Sequence, residues 1–121
     1  EIMVPAVCQG IIGMETRQDD TRVMQIINQI NHLKTFQVAQ AERVFLKMME
    51  GGCQVPVGCY SEVTGEGFSF TGFLSGLQGQ EVYKEHGTCN MADASRLAGN
   101  IAQNIIKKGG GNIINNIRKN I

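Results

Sequence analysis

The feature that most constrains the fold is a change of hydrophobic period at Val55. From this position the side chains alternate, and one side of the chain carries Val55, Val57, Cys59, Ser61 and Val63. Successive side chains of a strand point to opposite faces, so the alternation predicts a half-buried strand. Glycine-containing turns at residues 64–67 and 78–80 then predict a second strand over residues 68–77 and a third over 81–88. Three such strands form an antiparallel meander whose apolar face must be covered by helices.

Two helices are predicted before this meander. Residues 19–21 (Asp-Asp-Thr) offer N-cap chemistry, and isoleucines at helical spacing after them predict a helix that ends near Asn31. A second helix is predicted over residues 35–50, with Thr35 as its cap and Phe45 on its inward face. His32 is expected to be a cap or a surface residue.

A third helix is predicted over residues 94–108, where leucine, alanine and isoleucine form a wide apolar stripe. Three glycines at 109–111 should break it, and a last short helix should follow. The predicted class is therefore α+β: a three-stranded antiparallel sheet with helices packed on one face. Residues 2–14 are apolar and interrupted by glycine, which predicts an extended N-terminal strand segment before this domain.

Composition narrows the possible functions. The 11 Lys and Arg residues balance the 11 Asp and Glu residues, so no net charge draws the chain to nucleic acid or to an anionic membrane. No apolar run approaches the roughly 20 residues that a membrane-spanning helix needs. The chain starts at Glu1 without an initiator methionine, and we expect it to be a fragment of a longer protein.

The cysteines are the main candidates for chemistry. The four of them form no Cys-x-x-Cys pair and are expected to persist as thiols, with disulfides as the open alternative. Cys53 follows Gly51 and Gly52, which lack Cβ atoms and would let a bulky group approach its thiol. Cys59 lies in phase with the strand valines and should be buried. A zinc site from Cys53, Cys59, His86 and Cys89 has unsuitable spacing, and His86 should be solvated.

Several motifs resemble hydroxymethylbilane synthase, also called porphobilinogen deaminase. The resemblance covers essentially all 121 residues. It rests on residues 5–10 (PAVCQG), residues 41–43 (AER) with Phe45, and above all residues 50–56 (EGGCQVP). The family usually has glycine where this chain has Cys8.

This resemblance implies the third, cofactor-anchoring domain of an enzyme that condenses four porphobilinogen molecules into hydroxymethylbilane with release of ammonia. In the family, the cysteine that matches Cys53 holds a dipyrromethane primer through a thioether. Gly51 and Gly52 flank that anchor, and Gln9 and Gly10 would lie near the cofactor. The catalytic aspartate and the substrate-binding arginines lie in the first two domains, so no catalytic residue and no metal ligand is expected here.

The resemblance also implies partners and a location. Residues 1–17 would belong to the preceding domain or to an interdomain strand, and residues 18–121 would form the C-terminal domain. The partners would be porphobilinogen, the growing pyrrole chain and the N-terminal domains, all in the cytoplasm. An isolated fragment would be inactive, and its unpaired N-terminal strand could form a homodimer.

The residues also leave a non-enzymatic interpretation open. The chain could be a non-catalytic α+β interaction module in which the glycine-flanked cysteine is structural. Glu42 and Arg43 match the family motif, yet adjacent helical residues point about 100° apart, so a structural ion pair is the simpler interpretation. Asp19 and Asp20 are likewise better explained as helix-start residues than as paired catalytic carboxylates.

Overall fold

The computed structural model describes residues 3–49 and 54–119. Four helices and three strands are formed there: α1 (Thr21–Ile30), α2 (Leu33–Met48), β1 (Val57–Thr64), β2 (Gly67–Ser75), β3 (Val82–Asn90), α3 (Ala94–Ile105) and α4 (Gly111–Lys119). The four helices and the three strands of the meander that the hydrophobic pattern predicted are present. No helix in the described ranges is long and apolar enough to cross a membrane.

The three strands form one antiparallel sheet in the order β1-β2-β3. Its inner face is built around Phe68, Phe70 and Leu74 of β2, which are buried. Cys59 of β1 lies on this face as predicted, with 1% of its surface exposed. His86 lies on the outer face, where Thr71 is opposite it across the strand pair and its hydroxyl is 3.0 Å from Nδ1. The predicted meander and its half-buried character are confirmed.

Helices α2 and α3 cover the inner face of the sheet. The ring of Phe45 on α2 meets Phe70 edge-on, with 5.3 Å between ring centroids and an angle of 63°. Alanines 41, 98 and 102 have no exposed surface, and such small residues let two helices approach the sheet and each other closely. Buried isoleucines of α4 complete this layer. The α+β class with helices on one face is confirmed.

Side chains cap the N-termini of α1 and α2, and one of the two predicted caps is corrected by the structure. The Asp20 side chain caps α1 as predicted, since its Oδ1 accepts a hydrogen bond from the Val23 N–H at 3.0 Å. The predicted cap at Thr35 is wrong, because α2 begins two residues earlier. His32 caps it, and its Nδ1 accepts from the Thr35 N–H at 3.3 Å. An imidazole nitrogen can take the acceptor role that hydroxyl and carboxylate oxygens usually fill.

The glycine run after α3 breaks the helix as predicted. Gly109 has a φ of +129°, which other residues rarely adopt, and the chain widens over residues 106–110 before α4 begins. The change of direction brings α4 back towards the sheet and the helices packed on it, which together form the body of the domain. Its isoleucines 113, 114 and 117 are buried.

The N-terminal segment differs from the prediction in one respect. Residues 3–20 are non-helical, but they form no strand of the sheet. The segment meets β1 through a hydrogen bond from the Cys59 N–H to the Pro5 carbonyl at 3.0 Å. Pro5 has no N–H to continue a ladder, and Cys8 and Gly10 have φ values of +58° and +78° that turn the chain away.

Candidate functional site

The strongest candidates from the sequence lie between the end of α2 and the start of β1. Gly51, Gly52 and Cys53 lie outside the described residues. Before them, the Met49 N–H donates to the Phe45 carbonyl at 3.0 Å and closes α2 with Met49 fully buried. After them, the Ser75 N–H donates to the Pro56 carbonyl at 3.0 Å at the start of β1. The end of α2 and the start of β1, which lie on either side of the glycine-flanked cysteine in the sequence, are therefore both held by backbone hydrogen bonds.

Gln9 and Gly10 lie on a tight turn of the N-terminal segment. The Gln9 N–H donates to the Ala6 carbonyl and the Ile11 N–H to the Cys8 carbonyl, each at 3.1 Å. Both Gln9 and Gly10 are exposed. Cys8 is the only described non-glycine residue with a positive φ, at +58°. The turn thus requires a left-handed backbone at a position where the resemblance expects glycine, and the cysteine side chain carries the steric cost.

A buried carboxylate ties this turn to the body. Glu42 on α2 is 7% exposed, and its Oε2 accepts a hydrogen bond from the Cys8 backbone N–H at 2.6 Å. Its Oε1 accepts from the Ser61 hydroxyl of β1 at 2.7 Å. Three separate parts of the chain therefore meet at one side chain.

Sequence reasoning missed this role of Glu42. The predicted ion pair with Arg43 is not formed: across residues 3–49 and 54–119 the ion pairs are Arg96 with Asp93 and Lys108 with Glu85. A signal was nevertheless present in the sequence. Glu42 stands four residues after Val38 and three before Phe45, on the same inward stripe of α2.

Burial raises the pKa of each of the three described thiols. Burial raises the pKa of the Cys59 thiol far above its ordinary value of 9.0, and the Glu42 carboxylate adds to the effect. Burial followed by the Glu42 charge also raises the pKa of Cys8, while Arg43 opposes this. Burial, with the Asp93 charge as a smaller cause, raises the pKa of Cys89. Since the thiolate is the reactive form, a raised pKa lowers the reactive fraction of each of these thiols.

The described thiols form neither a disulfide nor part of a metal-binding cluster. Cys8, Cys59 and Cys89 are free. Within the ranges that the structure covers, no three His, Cys, Asp or Glu side chains are close enough to hold a metal ion. His86 and Cys59 point to opposite faces of the sheet, which also separates two of the imagined zinc ligands.

The structure places Cys8, the residue before Gln9, against α2, the helix that precedes Gly51 in the sequence. Glu42 lies on that helix, and its bond to Cys8 fixes the residue that precedes Gln9. The turn is therefore attached to α2.

Comparison with known proteins gives this site a context. The family model described as porphobilinogen deaminase, C-terminal domain, matches residues 36–107. Curated porphobilinogen deaminases of Carboxydothermus hydrogenoformans and Alkaliphilus metalliredigens are each 36% identical to the chain. The alignments cover 98% and 97% of the chain, but only 38% and 37% of those relatives. A porphobilinogen deaminase of a Nostoc species is also 36% identical, over 97% of the chain and 36% of its own length.

The chain thus spans less than two fifths of the length of these curated relatives. The family match begins at residue 36, within α2, and ends just after α3, so it covers the sheet and the helices packed on it. On this evidence, the chain belongs to the porphobilinogen deaminase family and corresponds to its C-terminal domain.

Proposed function

We propose that this chain is the C-terminal part of an enzyme that condenses four porphobilinogen molecules into hydroxymethylbilane, with release of ammonia, in tetrapyrrole synthesis. The observation that carries the proposal is the family match over residues 36–107, together with the Gly51-Gly52-Cys53 motif that it includes. In this function Cys53 anchors a dipyrromethane primer through a thioether. Gly51 and Gly52 leave room around the anchor, and Gln9 and Gly10 lie near the cofactor.

The pKa shifts of the other three cysteines support the choice of Cys53 as the anchor. Forming the thioether requires a thiolate that attacks the methylene carbon of a pyrrole as its amino group leaves as ammonia. Burial raises the pKa of Cys8, Cys59 and Cys89, which lowers the thiolate fraction of those three side chains. When bound, the dipyrromethane supplies the end onto which further pyrroles are added.

The rest of the enzyme is the proposed partner of the N-terminal region. No residue of α1 is buried, although its isoleucines are at helical spacing. Among the described residues, most exposed large hydrophobic side chains fall within residues 3–36: Met3, Ile12, Met14, Met24, Ile26, Ile30, Leu33 and Phe36. In the longer polypeptide, preceding domains would cover this surface. In an isolated chain, a second copy could cover it instead and form a homodimer.

The same distribution of exposed apolar side chains bears on the domain boundary that we propose. The sequence predicted that residues 1–17 belong with the preceding domain and residues 18–121 form the C-terminal one. The burial favours a later boundary, near residue 31, because α1 buries no residue while α2 does. We propose that α1 packs mainly against the preceding domains.

The chain alone is expected to lack deaminase activity. A growing product bears two carboxylates per pyrrole and requires many cationic partners, whereas this chain has equal numbers of acidic and basic residues. The aspartate and arginines of the family's first two domains would supply the missing chemistry. We place the complete enzyme in the cytoplasm, where its cysteines would remain reduced.

The test is the mass of the intact gene product, measured under denaturing conditions and followed by peptide mapping. A two-pyrrole adduct on Cys53 that is absent from Cys53→Ser would support the proposal. Cys59→Ser is the matched control, because Cys59 is buried and should leave the adduct in place. An unmodified Cys53 in an active protein would move the anchor elsewhere. An unmodified and inactive protein would favour a non-catalytic interaction module.

A further inference from the structure

Glu42 is the most unusual ionisable side chain in the described part of the protein. It is 7% exposed, yet neither of the two ion pairs formed there involves it. A buried carboxylate is costly unless hydrogen bonds satisfy its oxygens. Here one bond satisfies each oxygen, and the donors come from different parts of the chain: the Cys8 N–H and the Ser61 hydroxyl.

The Ser61 bond fixes the carboxylate on the body. Ser61 lies on β1, directly opposite Phe70 of the buried central strand, so its hydroxyl has a rigid support. With Oε1 held there at 2.7 Å, Oε2 is left to face the N-terminal segment. Both donors suit a charged acceptor, and charge-assisted bonds are short and strong.

The Cys8 bond fixes a strained point of the segment. Cys8 has a φ of +58°, a conformation that costs free energy for a residue with a Cβ and persists only where neighbouring contacts impose it. Its N–H is held by Glu42, while three residues earlier the Pro5 carbonyl accepts from Cys59. These two bonds attach the turn to the body, and Gln9 and Gly10 follow directly.

We propose that Glu42 is a positioning residue that clasps the turn of residues 6–10 onto the body and so fixes Gln9 and Gly10 relative to the end of α2. The clasp itself depends only on the observed bonds. Its bearing on the cofactor rests on the proposed function, in which Gln9 and Gly10 lie near a dipyrromethane on Cys53.

The test is hydrogen exchange on the intact gene product, read peptide by peptide. In Glu42→Leu, amides of residues 6–11 should exchange about tenfold faster or more, because a charge-assisted bond is lost, while residues 68–75 should be unchanged. Glu42→Gln should stay close to the original protein. Its amide oxygen can accept from Cys8, and its NH₂ can donate to the Ser61 oxygen.

Glu62→Leu is the matched control. Glu62 is exposed and next to Ser61 in sequence, so the same change there should leave both peptides unchanged. If Glu42→Leu leaves exchange at residues 6–11 unaltered, the clasp is wrong. If Glu42→Leu accelerates exchange in both peptides, the whole fold has loosened, and the Ser61→Ala variant is then measured. Faster exchange confined to residues 6–11 in Ser61→Ala supports the clasp. Any other result for Ser61→Ala overturns it.

Turnover and adduct mass separate this inference from the proposed function. With the clasp lost, a protein that still carries its adduct on Cys53 should turn over porphobilinogen more slowly, and Glu42→Gln should restore the rate. Absence of any adduct in the original protein would refute the proposed function, while the exchange comparison would still decide the clasp. An unchanged rate in an adduct-bearing Glu42→Leu protein would refute the positioning role for Gln9 and Gly10.

Discussion

Residues 3–30 and residues 33–119 of this chain are organised differently. Helices α2, α3 and α4 each bury at least three side chains, whereas α1 buries none. Both regions have strongly patterned apolar residues, so the pattern itself does not distinguish them. The difference teaches that amphipathicity identifies a face to be covered, but not whether the covering element is in the same chain.

The largest contrast should come from two phenylalanines on α2. Phe45 is fully buried against Phe70, and Phe36 is 49% exposed. Phe45→Ala should lower the free energy of unfolding by about 3–5 kcal/mol, because it leaves a cavity in the core. Phe36→Ala should cost less than about 1 kcal/mol. Urea denaturation of both variants measures the contrast, and similar losses would contradict the placement of Phe45 in the core and of Phe36 on the exposed side of α2.

The contact between the regions is tested at Gly58. A Cβ added there would lie 2.6 Å from the Pro5 carbonyl oxygen and 3.2 Å from that of Val4, so the segment must move. Gly58→Ala should cost about 1–3 kcal/mol, the usual range for overpacking. Gly76→Ala is the control, since a Cβ there meets nothing within 4 Å. Equal unfolding free energies for the two variants would mean that the segment does not rest on β1.

A pH titration probes the body alone. Burial raises the pKa of Cys59 in the folded state above its ordinary value of 9.0. Below pH 9 the thiol is protonated in both states and the stability is fully present. Above pH 9 the unfolded chain loses the proton first, so stability should fall by up to about 1.4 kcal/mol per pH unit.

Cys59→Ala should flatten this decline, whereas Cys89→Ala should flatten it less, because Cys89 is only partly buried. The slopes are compared by denaturation between pH 8 and pH 10.5. An unchanged slope in Cys59→Ala would show that other groups cause the decline.

The smallest effect on folding is expected on α1. Ile26 is 55% exposed, and Ile26→Ser should change the stability of the isolated chain by no more than about 0.5 kcal/mol. The same change should reduce self-association of that chain, measured by analytical ultracentrifugation, since it removes apolar surface that another molecule would cover. Glu62→Ser, on the exposed outer side of the sheet, is the control. A large loss of stability in Ile26→Ser would indicate that α1 packs on the body.

Local pattern predicted most of the body. Alternation from Val55 predicted the sheet, and apolar spacing with Asp20 predicted α1 and its start. Thr35 was mistaken for a cap because hydroxyl side chains are commoner caps than imidazoles. Helical spacing placed Glu42 on the inward stripe of α2, but it could not predict the hydrogen-bond partners of Glu42, which are 34 and 19 positions away in the chain. A strand was predicted for residues 2–14, but two positive φ angles turn that segment after it meets β1.

The bond between Cys8 and Glu42 also has a consequence for the order of folding. It closes a loop of 34 positions, and the Pro5 contact with Cys59 closes a longer one. On a ribosome the segment is made before α2 and β1, so neither of its hydrogen-bond partners exists until those elements have followed. Closing long loops carries an entropy cost that hairpins avoid, so the meander can form first. Within this domain, the residues of this segment should therefore be among the last to reach their native positions, although they are made before the sheet.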